Sequence, residues 1–143
     1  MPDAADQVRL QVLHREECLR LLPTVPIGRI VFTEAGLPAV LPVNFTVHEG
    51  AVYLRTTPGS KLSAALRRAI VAFEADEFDA RARTGWSVTV VGRAMVVEDP
   101  ALIAEVERQV TPWPGGSDLH LVRIAVDVVS GRLLSPVAAI TAY

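Results

Sequence analysis

The chain has 143 residues, half of them hydrophobic, with 14 basic and 16 acidic side chains and a formal net charge of -2. A chain of this length buries about two-thirds of its unfolded surface, so it can sustain a core, and the composition excludes a disordered polymer. The basic residues are scattered and only 6% of residues are aromatic, which argues against a basic nucleic-acid surface with stacking rings.

Cys18 is the single cysteine and has no internal disulfide partner. No apolar run approaches the roughly eighteen residues of a bilayer span. Met1 to Asp6 lack the basic and then apolar segments of a secretory signal, so a cytoplasmic protein is expected. The expected organisation is one domain over 1–143, with 1–7 as a loose leader and 136–143 as a tail.

Val8, Leu10 and Val12 alternate as an edge strand, and His14 to Leu22 reads as a helix stopped by Pro23 and Pro26. Gly28 to Thr33 is a strand, and Glu34-Ala35-Gly36 has the length of a tight hairpin turn. Pro38 to Val47 returns as a strand in which Pro42, unable to donate to a ladder, argues for an edge position or a bulge. After the turn His48-Glu49-Gly50, Ala51 to Thr57 forms a strand with Val52, Leu54 and Thr56 on one face and Tyr53, Arg55 and Thr57 on the other. The period then changes. Leu62, Ala65, Leu66 and Ala69 recur at helical spacing, which predicts a helix over Lys61 to Ala69 with Ser60 at its N-cap and Gly59 in the turn before it.

Ile70 to Asp76 reads as a buried strand and Glu77 to Gly85 as a solvated loop. A long strand is expected over Trp86 to Glu98, with Gly92 as a bend or bulge. Asp99-Pro100 supplies N-cap and first-turn chemistry for a helix to about Val110. Thr111 to Ser117 is a turn-rich loop and Asp118 to Asp127 a strand, and Ser130-Gly131 turns the chain into a last short strand near Arg132 to Leu134. Six or seven strands with hairpin-length turns, and two or three short helices that do not alternate with them, predict a mainly β fold. The expected form is a closed antiparallel barrel with helices over its open ends.

Arg55-Thr56-Thr57-Pro58-Gly59-Ser60-Lys61-Leu62 concentrates hydroxyls and cations where a strand gives way to a helix. A helix start carries unpaired N–H groups and partial positive charge, so the stretch reads either as an ordinary capped turn or as a phosphate cradle. It lacks the spacing of a Walker loop. His14 and Cys18, four apart on a helix, have no further ligands at metal spacing, and a lone cysteine is most simply a small buried hydrophobe. Glu74, Asp76, Glu77 and Asp79 form an acidic cluster without a calcium-loop pattern, which favours a solvated strand end. His48 and His120 lack a nameable catalytic partner, and no Gly-x-Ser-x-Gly elbow occurs. Leu41-Pro42-Val43-Asn44-Phe45 interrupts a strand where a flat polar ring would find backbone groups, and Gly85-Trp86-Ser87-Val88 presents an aromatic and a hydroxyl; a bulged edge strand and a core tryptophan are the structural alternatives.

In order, Gly28 to Phe32, Leu41 to Phe45, Arg55 to Leu62, Val71 to Asp76 and Thr84 to Val88 resemble the pyridoxamine 5'-phosphate oxidase-like flavin-binding split barrels, closest to the small actinobacterial-type members. The likeness covers roughly residues 10 to 135. It implies a six- to seven-stranded Greek-key split barrel, a homodimer with its cofactor at the subunit interface, and FMN as that cofactor, with a deazaflavin or haem in some branches. It implies that Arg55, Thr56, Thr57, Ser60 and Lys61 hold the phosphate, that Pro42, Val43, Asn44 and Phe45 line the isoalloxazine, and that Trp86 and Ser87 approach the flavin across the interface. The apolar tail Val137-Ala138-Ala139-Ile140 would add contact surface.

The oxidase's basic strand motif is replaced here by the uncharged Leu41 to Phe45, and its C-terminal Arg and His substrate contacts have no counterpart around Arg123 and Arg132. The implied function is therefore an FMN-dependent oxidoreductase acting on an unidentified small molecule, with no motif that points to pyridoxamine phosphate. A deazaflavin-dependent reductase and a flavin or haem carrier or sensor without turnover are the alternatives.

Overall fold

Eight strands and three short helices follow one another in the computed structural model, which describes residues 7–57, 60–109 and 120–137, with Lys61 given by its backbone. The expected turn at Pro58-Gly59, the loop Thr111 to Ser117, the start of the Asp118 strand and most of the leader and the apolar tail lie outside these residues. The strands are β1 (Val8–Leu13), β2 (Ile27–Glu34), β3 (Leu37–His48), β4 (Ala51–Thr56), β5 (Ile70–Asp79), β6 (Thr84–Val96), β7 (His120–Ile124) and β8 (Val128–Pro136). The helices are α1 (Arg15–Leu21), α2 (Lys61–Ala65) and α3 (Pro100–Glu107).

All pairings are antiparallel, in the order β1-β8-β6-β5-β2-β3-β4-β7, and β7 returns to β6. Six strands thus close a barrel, while β8 and β1 extend the sheet outward from the first half of β6. The closure depends on Gly92. Up to Val91 the outer edge of β6 pairs with β8, and from Ala94 it pairs with β7. A Cβ on Gly92 would lie 1.7 Å from the Ala125 carbonyl oxygen, so only glycine lets the incoming chain pass that close. The β5–β6 register runs unbroken through this point, so Gly92 marks a change of partner and not a bulge.

Alternation sorts the side chains. Ile30, Phe73, Val88, Val90, Leu54 and Ile124 point into the barrel with Leu66 from beyond α2. On the other face of β4 and β7, Ala51, Tyr53 and Leu121 pack against Val106 of α3. β4 is consequently buried on both faces, which its unbroken apolar run from Ala51 to Leu54 matches.

Three expectations are corrected. The Glu77 to Gly85 loop is largely strand: β5 runs to Asp79 and β6 starts at Thr84, with Glu77 opposite Trp86. Its turn is fastened by the Asp79 carboxylate, which accepts from the backbone N–H groups of Arg81 and Ala82 at 3.0 and 3.1 Å. The charged side chains hid a hairpin whose pairing lies in the backbone. Second, α2 stops at Ala65 because Arg68 adopts a left-handed φ of 56° and the chain turns into β5. Third, Ser130-Gly131 is no turn. β8 is continuous from Val128 to Pro136, and Gly131 is needed because a Cβ there would meet the Cys18 sulfur of α1 at 2.5 Å.

Candidate functional site

The barrel opens on one side. β3 pairs with β2 in continuous register from Leu37 to Asn44 and with β4 only from Phe45 to His48. Beyond the Phe45–Leu54 pair, β3 and β4 part, and no described strand covers the second edge of β3 between Leu37 and Asn44. The Phe45 N–H donates to the Pro26 carbonyl, so odd-numbered residues of β3 direct their backbone groups toward β2. By alternation, Pro38, Val40, Pro42 and Asn44 direct theirs to the open edge. Pro38 and Pro42 therefore fall where an N–H would point out of the sheet, which blunts the edge against pairing with another chain. Of the two expectations for Pro42, the edge position is the one found.

On the opposite lip, β4 ends at Thr56 and the chain turns into α2. The Ser60 N–H donates to the Thr57 carbonyl at 3.2 Å, and the Ser60 hydroxyl oxygen accepts from the Ser63 N–H at 3.0 Å, the expected N-cap. Thr57 is exposed and Ser60 half-buried. Thr56 points inward, 3% exposed, and its Oγ1 has no hydrogen-bond partner among the described residues. A buried hydroxyl left unpaired costs about 1–3 kcal/mol, so none of the described groups repays the burial of this atom.

Arg55 alternates to the other face. Its guanidinium, 18% exposed, donates to the Glu107 carbonyl at 3.5 Å and lies 3.7 Å from the Glu107 carboxylate at the end of α3. Thr56, Thr57, Ser60 and Lys61 therefore share one corner, and Arg55 stands behind it.

Pro42 is exposed on the other lip, and Val43 and Phe45 point into the core, where Phe45 meets Phe73 edge-on with centroids 4.7 Å apart. Asn44 is half-buried and, with Phe45 and Thr46, lines a groove of about 300 Å³ completed by Pro23 to Pro26 and Gln109. The Pro23/Pro26 wall was not read from the sequence as part of a site; the paired prolines that end α1 were its only signal. Trp86 and Ser87 are not at this split. The order β3-β2-β5-β6 sets them three strands away, Trp86 largely buried beside a cleft at the β5–β6 tip and Ser87 half-buried opposite Asp76 and Arg132.

The other candidates have structural settings. Cys18 is fully buried, and burial, followed by the charge of Glu17, pushes its thiol pKa up. The His14 N–H donates to Glu17 at 3.2 Å at the start of α1. His48 lies between Gln109, at 3.4 Å, and Glu105, at 3.7 Å. In the acidic cluster, Arg29 Nη1 lies 3.4 Å from Glu74 and 3.1 Å from Asp76. Glu74 is nevertheless pushed up to about 7, by burial first and then by hydrogen bonding to and repulsion from Asp76, against the pull of Arg29. Among the described residues no three His, Cys, Asp or Glu side chains assemble as metal ligands. No helix among them is long and apolar enough to cross a membrane.

Known proteins share this architecture. An uncharacterised protein of Mycobacterium tuberculosis is 44% identical over 124 residues, covering 83% of this chain and 82% of that one. The solved structure of the FAD binding protein from Mycobacterium smegmatis superposes with a TM-score of 0.76 at 39% identity, covering 86% of this chain and 98% of that one. A FAD-binding protein from Mesorhizobium loti, at 23% identity and a TM-score of 0.70 over 90% of this chain and 99% of its own, shares the fold. The family model for pyridoxamine 5'-phosphate oxidase matches residues 14–133, from the start of α1 into β8, and this chain belongs to that family.

Proposed function

We propose that the protein is a flavin-dependent oxidoreductase that holds the cofactor across the split between β3 and β4. Thr56, Thr57, Ser60 and Lys61 receive the phosphate nearest the flavin, whether from FMN or as the first phosphate of FAD, while Arg55 faces α3 and is paired with Glu107. The isoalloxazine lies along the open edge of β3 from Pro42 to Phe45, where the Pro42 carbonyl and the backbone of Asn44 are unpaired by any described strand. The observation that carries this reading is the buried, unpartnered Thr56 hydroxyl at the lip of that split. The likeness to the FAD binding protein from Mycobacterium smegmatis supports a flavin as the cofactor.

When bound, the flavin supplies the hydride or electron chemistry, so the chain's task is to fix the phosphate, present the ring and exclude water, and a catalytic triad is not required. The substrate lies outside the reading, because Leu41 to Phe45 and the strands around Arg123 and Arg132 carry no charged motif that selects pyridoxamine phosphate.

The homodimer belongs to the same proposal. On the outer face of the sheet, register aligns Leu10, Val12 and Val128 with Ile27, Val40 and Phe78, each at least 42% exposed, around the Arg29–Glu74–Asp76 cluster. Exposed apolar residues on both sides of a charged centre are suited to association with a second copy.

A flavin titration of the purified protein tests the cofactor. Absorbance and fluorescence should report saturable binding, and Lys61→Ala should weaken it by about 10- to 100-fold, the loss of one charged hydrogen bond. Unchanged affinity in that variant overturns the phosphate corner. Reduction of the bound flavin by a nicotinamide cofactor in stopped flow supports the enzyme; a flavin that binds and resists every reductant makes the protein a carrier.

A further inference from the structure

Past α2, Leu66 caps the helix and Arg67 and Arg68 form the turn into β5. The turn is pinned to β6 from below: Arg93 Nη1 donates to the Arg68 carbonyl, and the Ala94 N–H donates to the Ala69 carbonyl at 2.8 Å. Beside it lies a cleft of about 750 Å³ lined by Arg67 and Arg68, by the run from Met95 to Glu98, and by His120. His120 is the cross-strand partner of Thr56, so the cleft borders the corner assigned above to the first phosphate. The helix between Lys61 and the arginine turn is five residues, or about 7 Å, long. Among the described residues neither guanidinium has a carboxylate partner.

Resting on the flavin reading above, we infer that this cleft takes the second phosphate and the adenosine end of a flavin dinucleotide. A guanidinium matches a phosphate with two parallel hydrogen bonds, and a turn held by Arg93 and Ala94 keeps both arginines in place before the ligand arrives. Met95, Val96 and Val97 offer an apolar wall to a purine. Glu98 leaves room for one phosphate and a neutral base but opposes a tail bearing several carboxylates, which sets FAD apart from a polyanionic deazaflavin.

The test compares FAD with FMN on the same protein by fluorescence titration. Arg67→Gln with Arg68→Asn is the chosen pair, because asparagine tolerates the left-handed φ at position 68. Wild type should bind FAD at least about tenfold more tightly than FMN. The double variant should lose about 10- to 100-fold in FAD affinity while FMN stays within about twofold, as expected when charged hydrogen bonds to one phosphate are removed. Met95→Glu, which sets a carboxylate on the opposite segment without touching the turn, should show the same selective loss. Equal losses for both flavins, no loss for either, or a wild-type preference for FMN overturns the inference while leaving the flavin site intact. A wild type that binds neither flavin removes the flavin reading itself.

Discussion

The barrel has two seams, and they are made oppositely. Where β6 meets β7 and β7 meets β4, the seam is stitched: Ala94 to Val96 pair with Val122 to Ile124, Val52 to Thr56 pair with the whole of β7, and Gly92 admits the passing Ala125 carbonyl. Where β3 leaves β4, the ladder stops at Phe45 and Leu54, prolines occupy two positions that would donate from the open edge, and the Thr56 hydroxyl is buried without a partner among the described residues. The first seam carries its backbone ladder through, and the second breaks it off. On the reading proposed above, the open seam is where a flavin completes those polar groups.

The strongest way to break the contrast is at the stitched seam. Gly92→Ala sets a methyl 1.7 Å from a backbone oxygen that cannot swing aside, so it should cost about 3 kcal/mol, at the upper end for an overpacked site. Urea unfolding followed by circular dichroism reads this directly, and a midpoint shift below the equivalent of 1 kcal/mol would mean that the seam yields where it is described as rigid.

At the open seam the signs of stability and binding should separate. Thr56→Val keeps the shape of the side chain and removes the unpartnered oxygen, so the ligand-free protein should gain about 1 kcal/mol while flavin binding weakens by a similar amount. Thermal melting without ligand and a flavin titration give the two readings. Destabilisation of the ligand-free protein would show that the hydroxyl already has a partner, and the argument for the split would lose its main support.

Legibility followed the same division. Alternation marks the strands and local capping marks Ser60 and Asp99, whereas Gly92 reads as a bend or bulge because the Ala125 carbonyl that requires it is distant in sequence. The Asp99 carboxylate indeed accepts from the Ala101 N–H at 3.0 Å. The β5–β6 hairpin is hidden because Glu77, Asp79, Arg81 and Arg83 imitate a solvated loop, and Ser130-Gly131 reads as a turn because the reason for Gly131, the Cys18 sulfur, lies over a hundred positions away. In the candidate site, the hydroxyls before α2 and the proline in β3 could be read from sequence. That Arg55 turns away to Glu107 while Thr56 turns inward depends on α3 covering β4, a tertiary fact that local pattern does not carry.

The smallest effect concerns what supports the β3 lip. Along that lip β3 has only β2 as a neighbour, and one row runs from Pro42 to Arg29 to Glu74, where the guanidinium faces two carboxylates. Glu74 is held up to about 7 from an ordinary 4.5, so between those values the folded chain keeps a proton that the unfolded chain has released. Stability contributed by that proton is present below 4.5 and is lost as pH rises toward 7. Glu74→Gln removes this titration, and the decline in urea midpoint between pH 5 and 7 should become shallower than in the wild type, with the two curves parallel above about pH 7.5. If the slope is unchanged, the proton is not on Glu74, and the open lip rests on a β2–β5 pairing that carries its charge pair fully ionised.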